Sequence, residues 1–125
     1  MSGLTYDSGA LIGAEGNDPR IWALHRRALE RGVMPTVPAA VVVECWRGTD
    51  RVARLTAGCY VEPLAAPIAQ AAGLLLGAAP DGVEVTDATV VEGALRRGDA
   101  VVTSNRTDLA VLAQAAGRRL AIIDV

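Results

Sequence analysis

Apolar segments alternate with amphipathic segments along the chain, and this alternation predicts strands and helices in turn. The first apolar segment contains Leu4 and Tyr6 and is predicted to be a short buried strand that stops on Asp7. A small-residue turn and an apolar helical start follow it, and a loop is predicted at 13–17. A short extended piece is predicted at 33–37, and further strands are predicted at 59–61, 100–102 and 120–123.

Capping residues mark the predicted helices. Asp18 followed by Pro19 is typical of a helix start, and Gly32 follows the end of that helix at about Arg31. Further helices are predicted over 39–46, 50–55, 65–76, 86–97 and 105–117. The β-branched residues within 39–46 would also suit a strand, and the apolar 65–76 helix is expected to be buried. Strands that alternate with helices predict a single α/β domain over 1–125 with a mostly parallel sheet.

Composition narrows the function. The 125 residues are 51% hydrophobic and only 3% aromatic, so the core must be built from Ala, Val, Leu and Ile. The net charge of −2 gives no global basic field, so any nucleic-acid binding needs local basic patches or metal-bridged phosphates. All twelve basic residues are Arg, which excludes mechanisms that need a catalytic lysine. Cys45 and Cys59 suit buried thiols in a reducing compartment.

No signal segment opens the chain, and the apolar stretch 65–79 is too short to span a membrane. We therefore expect a cytoplasmic protein. His25 lies among Arg26, Arg27 and Arg31 and is expected to be a solvated helix residue.

Acidic residues are predicted to collect at one edge of the sheet. Asp7 follows the first strand, and Asn105 and Asp108 follow the strand at 100–102. Ligand sites in open parallel sheets lie beyond the carboxyl ends of strands, so these side chains should lie side by side. An N-cap with an acidic partner three residues later is the alternative reading of Asn105 and Asp108.

Two helices carry another acid each. Glu44 is either a surface position or a functional acid in an apolar helix, and Asp87 is either a first-turn acid facing the helix dipole or part of the same cluster. Glu92, four residues before Arg96, is expected to form a surface ion pair. A cluster of carboxylates is stabilised by a divalent cation, and all-oxygen ligands suit Mg²⁺ or Mn²⁺.

Four short motifs in order resemble a PIN domain, specifically the toxin ribonucleases of VapBC-type toxin–antitoxin pairs. They are Tyr-Asp-Ser-Gly-Ala-Leu-Ile at 6–12, Val-Val-Glu at 42–44, Val-Thr-Asp-Ala at 85–88 and Val-Val-Thr-Ser-Asn-Arg-Thr-Asp-Leu at 101–109. The resemblance implies a three-layer α/β/α sandwich, a homodimer and a small antitoxin partner whose tail lies across the site. It also implies Mg²⁺-dependent hydrolysis of RNA phosphodiester bonds.

The resemblance assigns roles residue by residue. It implies that Asp7, Glu44, Asp87 and Asp108 are catalytic, and that the metal is held by Asp7, Asp87, Asp108 and Asn105. Thr103 or Ser104 would support the acids. Arg47, Arg51 and Arg106 are expected to contact RNA, whereas Arg54 is expected to be an ordinary solvated residue.

A catalytically inactive PIN-like module that binds an antitoxin or RNA is the alternative. Asn105, where the family often has an acid, and the acidic charge balance favour it. A signalling receiver domain would need a lysine, a haloacid-dehalogenase phosphatase would need a second Asp two residues after Asp7, and a dinucleotide-binding module would need a glycine-rich turn.

Overall fold

A five-stranded, all-parallel sheet forms the centre of the protein, in a computed structural model that describes residues 3–125; Met1 and Ser2 lie outside the described residues. The strands are β1 (Leu4–Tyr6), β2 (Thr36–Pro38), β3 (Tyr60–Glu62), β4 (Ala100–Thr103) and β5 (Ala121–Asp124). The helices are α1 (Ser8–Glu15), α2 (Pro19–Glu30), α3 (Ala39–Cys45), α4 (Asp50–Ala57), α5 (Ala66–Ala78), α6 (Val85–Arg97) and α7 (Arg106–Ala115). The predicted α/β class with a parallel sheet is confirmed.

The strand order β3-β2-β1-β4-β5 defines the layers. The chain first builds the sheet outward from β1 to β3, and then returns to the other side of β1 to add β4 and β5. Because parallel crossovers are right-handed, α1 to α4 cover one face of the sheet and α5 to α7 cover the other. The result is a three-layer α/β/α arrangement. The direction of building reverses between β1 and β4, which pair in register from Leu4 with Ala100 to Tyr6 with Val102.

Several predicted boundaries need correction. The 39–46 segment is a helix, which excludes the strand alternative. Helix α1 continues to Glu15, so the predicted loop at 13–17 begins only at Gly16. Strand β2 begins at Thr36, three residues after the start of the extended piece predicted at 33–37, and ends one residue beyond it, at Pro38.

Helix α5 is the main error in predicted burial. Ala72 is its only buried residue, and the side chain of Leu74 is 79% exposed. The helix packs chiefly against α6 and lies at the outside of its layer. Most apolar residues of α5 are therefore not buried by the described part of the chain.

His25 is also placed differently from the prediction. It is only 5% exposed, and its Nδ1 lies 2.8 Å from the Tyr6 hydroxyl on β1. The ring of Trp22 meets it edge-on, with the ring centroids 6.1 Å apart. The one histidine is therefore part of the contact between α2 and the sheet.

A polar network fixes the carboxyl end of α6 to the sheet. Arg97 Nε lies 3.0 Å from Asp99, and Thr5 on β1 donates a 2.8 Å hydrogen bond to the same carboxylate oxygen. Arg97 also pairs with Glu62 at 2.9 Å. Since α6 runs antiparallel to the strands it crosses, this anchor helps to set the position of its other end, which carries Asp87.

The expected pair of Glu92 and Arg96 is present at 2.9 Å, and Arg96 also pairs with Glu62. Cys45 and Cys59 are free thiols, and both are only partly buried, whereas buried thiols were expected. Among residues 3–125, no helix is both long enough and apolar enough to cross a membrane.

Candidate metal and phosphodiester site

The candidate site lies where the direction of sheet building reverses. Ligands of open α/β sheets bind in the crevice beyond the carboxyl ends of the strands at such a reversal. Asp7 directly follows β1, and Ser104 and Asn105 directly follow the adjacent β4. The amino ends of α6 and α7 close the crevice, and they bring Asp87 and Asp108 to it.

One cavity of about 220 Å³ unites the predicted acids. Its polar wall contains the following carboxylates and amide: Asp7, Glu44, Glu84, Asp87, Asn105 and Asp108. Acids from two strand ends and two helices therefore line one cavity. A fifth carboxylate, that of Glu84, joins the four expected ones.

Asp7 is the most firmly held of these acids. Its side chain is 3% exposed. One carboxylate oxygen accepts a 3.2 Å bond from the Ala10 amide and so caps α1, while the other accepts a hydrogen bond from the Thr103 hydroxyl. Burial raises the pKa of Asp7, and the hydrogen bonds from Thr103 and Ala10 oppose that rise.

Thr103 links the two strand ends. Its hydroxyl donates a hydrogen bond to the Asp7 carboxylate and accepts one of 2.8 Å from the backbone N–H of Asn105. The loop after β4 is therefore tied to the buried carboxylate. Ser104 is exposed and lines the cavity. Of Thr103 and Ser104, Thr103 is therefore the residue whose hydroxyl donates directly to a carboxylate of the cavity, that of Asp7.

Asp87 has the most perturbed carboxyl group of the cluster. It is half-buried in the first turn of α6. Burial, followed by the negative charges of Asp108, Asp7, Glu84 and Glu44, raises its pKa to about 6. Asp87 does lie where an acid faces the positive end of the helix dipole, which would lower its pKa. The desolvation and the surrounding negative charge nevertheless raise the pKa overall.

Glu44 is exposed and also lines the cavity. The hydroxyl of Ser8 is 3.4 Å from a Glu44 carboxylate oxygen. The neighbouring Cys45 thiol lies 3.8 Å from the Ser8 carbonyl oxygen, which brings α3 against the start of α1. Glu44 is therefore a surface residue that also contributes to the cavity lining.

Asn105 does not act as the capping box predicts. It is the N-cap residue of α7, but its side chain makes no capping hydrogen bond. Its Nδ2 instead donates a 2.8 Å bond to Asp108 Oδ2. The amide therefore holds the Asp108 carboxylate in the cavity wall.

The sequence reasoning missed Glu84. It is the N-cap residue of α6 and contributes to the raised pKa of Asp87. The available signal was its spacing, three residues before Asp87, which puts two acids at one helix start.

The expected RNA-contacting arginines lie outside this cavity. Arg47 donates to the carbonyls of Val43 and Trp46, and Arg51 donates to the carbonyl of Glu15. Arg106 is bound to Asp124 on β5, with its nearest contact at 2.8 Å. Arg106 is thus the only one of the three whose charge is compensated by a carboxylate within residues 3–125.

The donor set suits a hard cation in its chemistry. Five carboxylates and one amide supply only oxygen ligands to the cavity, and Mg²⁺ and Mn²⁺ prefer such ligands. No three His, Cys, Asp or Glu side chains of the described chain stand around a common point as metal ligands. The residue types fit a divalent cation, while their present side-chain positions are spread around the cavity wall.

Neither a known protein-family description nor any curated protein matches this chain.

Proposed function

We propose that this protein is a Mg²⁺- or Mn²⁺-dependent endoribonuclease that acts as the toxin of a toxin–antitoxin pair. The observation that carries the proposal is the convergence of Asp7, Glu44, Asp87 and Asp108 on one cavity at the sheet reversal. The raised pKa of Asp87 supports it, because a cluster of uncompensated acids at such a position is typical of a functional site. The four-motif resemblance to PIN-domain ribonucleases supplies the reaction type.

Asp7, Asp87, Asp108 and Asn105 would hold the cation. A bound divalent ion polarises the scissile phosphate and lowers the pKa of a bound water. Asp7 offers a pre-positioned carboxylate, because Thr103 and the α1 amide already fix both of its oxygens. Asn105 orients Asp108 through its amide hydrogen bond. A cation at this cavity would have to draw the remaining carboxylates inward.

Glu44 would orient the attacking water and accept its proton. It is exposed, and the Ser8 hydroxyl at 3.4 Å leaves the carboxylate accessible. A general base must reach the water that it activates, and an exposed carboxylate that lines the same cavity as Asp87 meets that need.

The proposed partners are an RNA substrate, a small antitoxin and a second copy of the chain, in the cytoplasm. Helix α5 supports the second copy, since it has no charged residue and Ala72 alone is buried. An apolar hollow of about 230 Å³ between α5 and α6 adds to this surface. The antitoxin is proposed from the motif resemblance.

A non-catalytic PIN-like binding module is the second candidate. Asn105 favours it, because an amide contributes no negative charge at a position where the family often has an acid. The spread of the carboxylates around the cavity wall favours it as well. Metal-dependent cleavage separates the two candidates.

The test is cleavage of total RNA by the purified protein in Mg²⁺, in Mn²⁺ and in EDTA, alongside Asp7→Asn and Asp81→Asn. Both variants remove one negative charge, but Asp81 is exposed in the loop before α6 and outside the cavity. Discrete cuts that require metal and Asp7 but not Asp81 are expected. Circular dichroism of Asp7→Asn verifies that the variant folds.

Two results would overturn the ribonuclease. Folded wild-type protein that is free of antitoxin and cuts nothing under any metal condition would favour the binding module. Cuts that persist in EDTA or in Asp7→Asn would show that any nuclease activity lies elsewhere.

A further inference from the structure

The charge of this protein is distributed unevenly. Residues 16–58 contain seven of the twelve arginines and four of the fourteen acids, a net charge of +3. The other residues carry five arginines and ten acids, a net charge of −5. The basic segment contains α2 and α4, which pack in the layer beside α1, whereas the acid cavity draws most of its charge from the rest of the chain.

Six of the seven arginines of the basic segment are also free of carboxylate partners among residues 3–125. Among residues 3–125, only Arg20 of these seven forms an ion pair, with Asp18. In the rest of the chain, Arg96, Arg97 and Arg106 are each paired with at least one acid. Three of the five arginines outside residues 16–58 are thus compensated, whereas six of the seven arginines within that segment have no carboxylate partner among residues 3–125.

Four of the free arginines form a series that begins, along the chain, three residues after Glu44 of the cavity lining. Arg47 follows Glu44 by three residues and rests on the carbonyl end of α3. Arg51 rests on the carbonyl end of α1, and Arg54 lies one turn further along α4. The Arg54 guanidinium sits 5.4 Å from the centre of the Trp22 ring, and Arg26 is one turn after Trp22 on α2. The contacts of the first three arginines hold their guanidiniums in place at the surface.

Trp46 adds an aromatic surface at the start of this series. It is 44% exposed and lies between Glu44 of the cavity and Arg47. Tyr6 is fully buried, and Trp22 is covered by Arg54. Tyr60, the other exposed aromatic residue, begins β3 at the amino end of the sheet, away from the cavity.

We infer that Trp46, Arg47, Arg51, Arg54 and Arg26 form a strand-binding track, on which the guanidiniums contact successive RNA phosphates and Trp46 stacks on one base beside the acid cavity. The inference rests on the proposed function for its ligand. It revises the expectation that Arg54 is merely solvated. Non-specific strand binding combines a basic surface that follows the backbone with aromatic side chains that stack on bases.

The strand-binding track would offset the electrostatic repulsion between the proposed site and an RNA strand. Five carboxylates in one cavity repel a polyanion, so a strand needs attractive contacts outside the cavity to remain near it. Asp50 is the one acid in the depression lined by Arg51 and Arg54, and it leaves that depression with a net positive charge. Guanidiniums also recognise phosphate through paired N–H donors.

The experiment measures binding of a fluorescently labelled RNA of about 15 nucleotides by anisotropy, in EDTA so that no metal-dependent cleavage occurs, at several salt concentrations. The test variant is Arg51→Gln with Arg54→Gln. Its matched control is Arg118→Gln with Arg119→Gln, which removes the same charge from the exposed turn before β5. Circular dichroism verifies that both variants fold.

The track variant is expected to bind at least tenfold more weakly at low salt, and its slope of log affinity against log salt should fall by about 1.4, or about 0.7 for each lost phosphate contact. The control should keep the wild-type slope. Equal slopes and affinities for the two double variants would overturn the track, as would wild-type protein that fails to bind RNA at low salt. In the first case a protein partner becomes the better occupant of this face.

Stacking is tested separately. Trp46→Ala should bind roughly tenfold more weakly, and Trp46→Phe should recover most of that loss, since either aromatic ring presents a face to a base. Tyr60→Ala removes an exposed aromatic at the other end of the sheet and should bind like wild type. Equal binding by Trp46→Ala and Tyr60→Ala would overturn the role of Trp46.

These outcomes are independent of the nuclease test. Protein that cuts RNA with Mg²⁺ but binds it equally well after the Arg51 and Arg54 changes would keep the proposed function and lose the track. Protein that binds through the track but never cuts would lose the ribonuclease and keep the track.

Discussion

Thr103 donates its hydroxyl hydrogen bond to Asp7 across the β1–β4 pair, and both side chains are buried. Because the hydrogen bond favours the charged carboxylate, it opposes the rise in the pKa of Asp7 that burial causes. The bond therefore keeps a ligand-competent carboxylate at the reversal of the sheet.

Thr103→Val should destabilise the protein by about 1–2 kcal/mol, because the shape is kept while a buried carboxylate loses its donor. The same change should raise the pKa of Asp7 further and weaken Mg²⁺ binding. Urea denaturation and the Mg²⁺ dependence of the melting temperature measure the two effects. The matched control is Thr56→Val, whose hydroxyl donates only within α4, to Val52 at 2.9 Å. Unchanged Mg²⁺ affinity in Thr103→Val would contradict the proposed role.

Gly9 is required by a close approach between α1 and the loop after β4. A Cβ at Gly9 would overlap Ser104 Oγ and would lie 2.8 Å from the Ser104 amide nitrogen. Gly9→Ala should therefore cost about 1–3 kcal/mol through the backbone shift it forces. It should also reduce cleavage, since that loop carries Asn105.

Gly13→Ala is the control in the same helix. Its nearest new contact would be Ile21 at 3.6 Å, which is ordinary packing distance. Alanine is the better helix former by up to about 1 kcal/mol, so this variant should be neutral or more stable. Urea denaturation of both variants tests the pair, and equal losses of stability would show that Ser104 does not set the cost.

Asp87 should make the protein less stable as pH rises from about 4 to about 6. Its pKa of about 6 in the folded state lies above the unfolded value near 3.8, so the folded protein binds more protons in that window. Asp87→Asn should therefore be more stable than wild type at pH 7, by about 1 kcal/mol once the partial exposure of Asp87 is allowed for. The difference between the two proteins should shrink toward pH 4.

Denaturation from pH 4 to pH 8 measures this difference, with Asp81→Asn as the control that should show none. Mg²⁺ provides a second readout, because a ligand of the folded state raises its stability by mass action. Mg²⁺ should raise the melting temperature of wild type more than that of Asp87→Asn. An Asp87→Asn protein that is less stable than wild type at pH 7 would argue against electrostatic strain at this position.

The strand-end rule explains why much of the site could be predicted. Asp7 and Asn105 each follow a strand, and parallel strands bring such positions to one edge whatever the details of packing. Glu84 could not be placed by that rule, since it precedes a helix and its side chain reaches the cavity only through the path of the loop before α6. The ion pair of Arg106 could not be predicted either, because its partner Asp124 lies eighteen residues further along the chain, on β5.

Burial was harder to predict than secondary structure. Helix α5 was expected to be buried from its apolar residues, but hydropathy reports a tendency to leave water and does not identify the surface that meets it. The prediction for His25 was wrong in the opposite direction, because the residue was expected to be solvated and is buried. Its arginine neighbours indicated solvent, whereas the 3.6-residue period puts it four residues after the buried Ile21, on the side of α2 that faces the sheet.

Because His25 is buried against Tyr6, its contribution to the free energy of unfolding is predicted to fall at low pH. Burial lowers the pKa of His25, so below about pH 6.5 the unfolded chain binds a proton that the folded protein resists. In an Asp87→Asn background, where that carboxyl does not titrate, the free energy of unfolding should fall as pH drops from 7.5 toward 5. His25→Gln should be less stable than its parent at pH 7.5 by about 1 kcal/mol, through loss of the 2.8 Å bond to Tyr6.

That difference should narrow toward pH 5, because the variant has no imidazole to protonate. The measurement is best made by comparing Asp87→Asn with Asp87→Asn/His25→Gln, so that the carboxyl of Asp87 does not titrate in the same range. A gap between the two proteins that stays constant or widens at low pH would mean that His25 remains accessible to protons in the folded state.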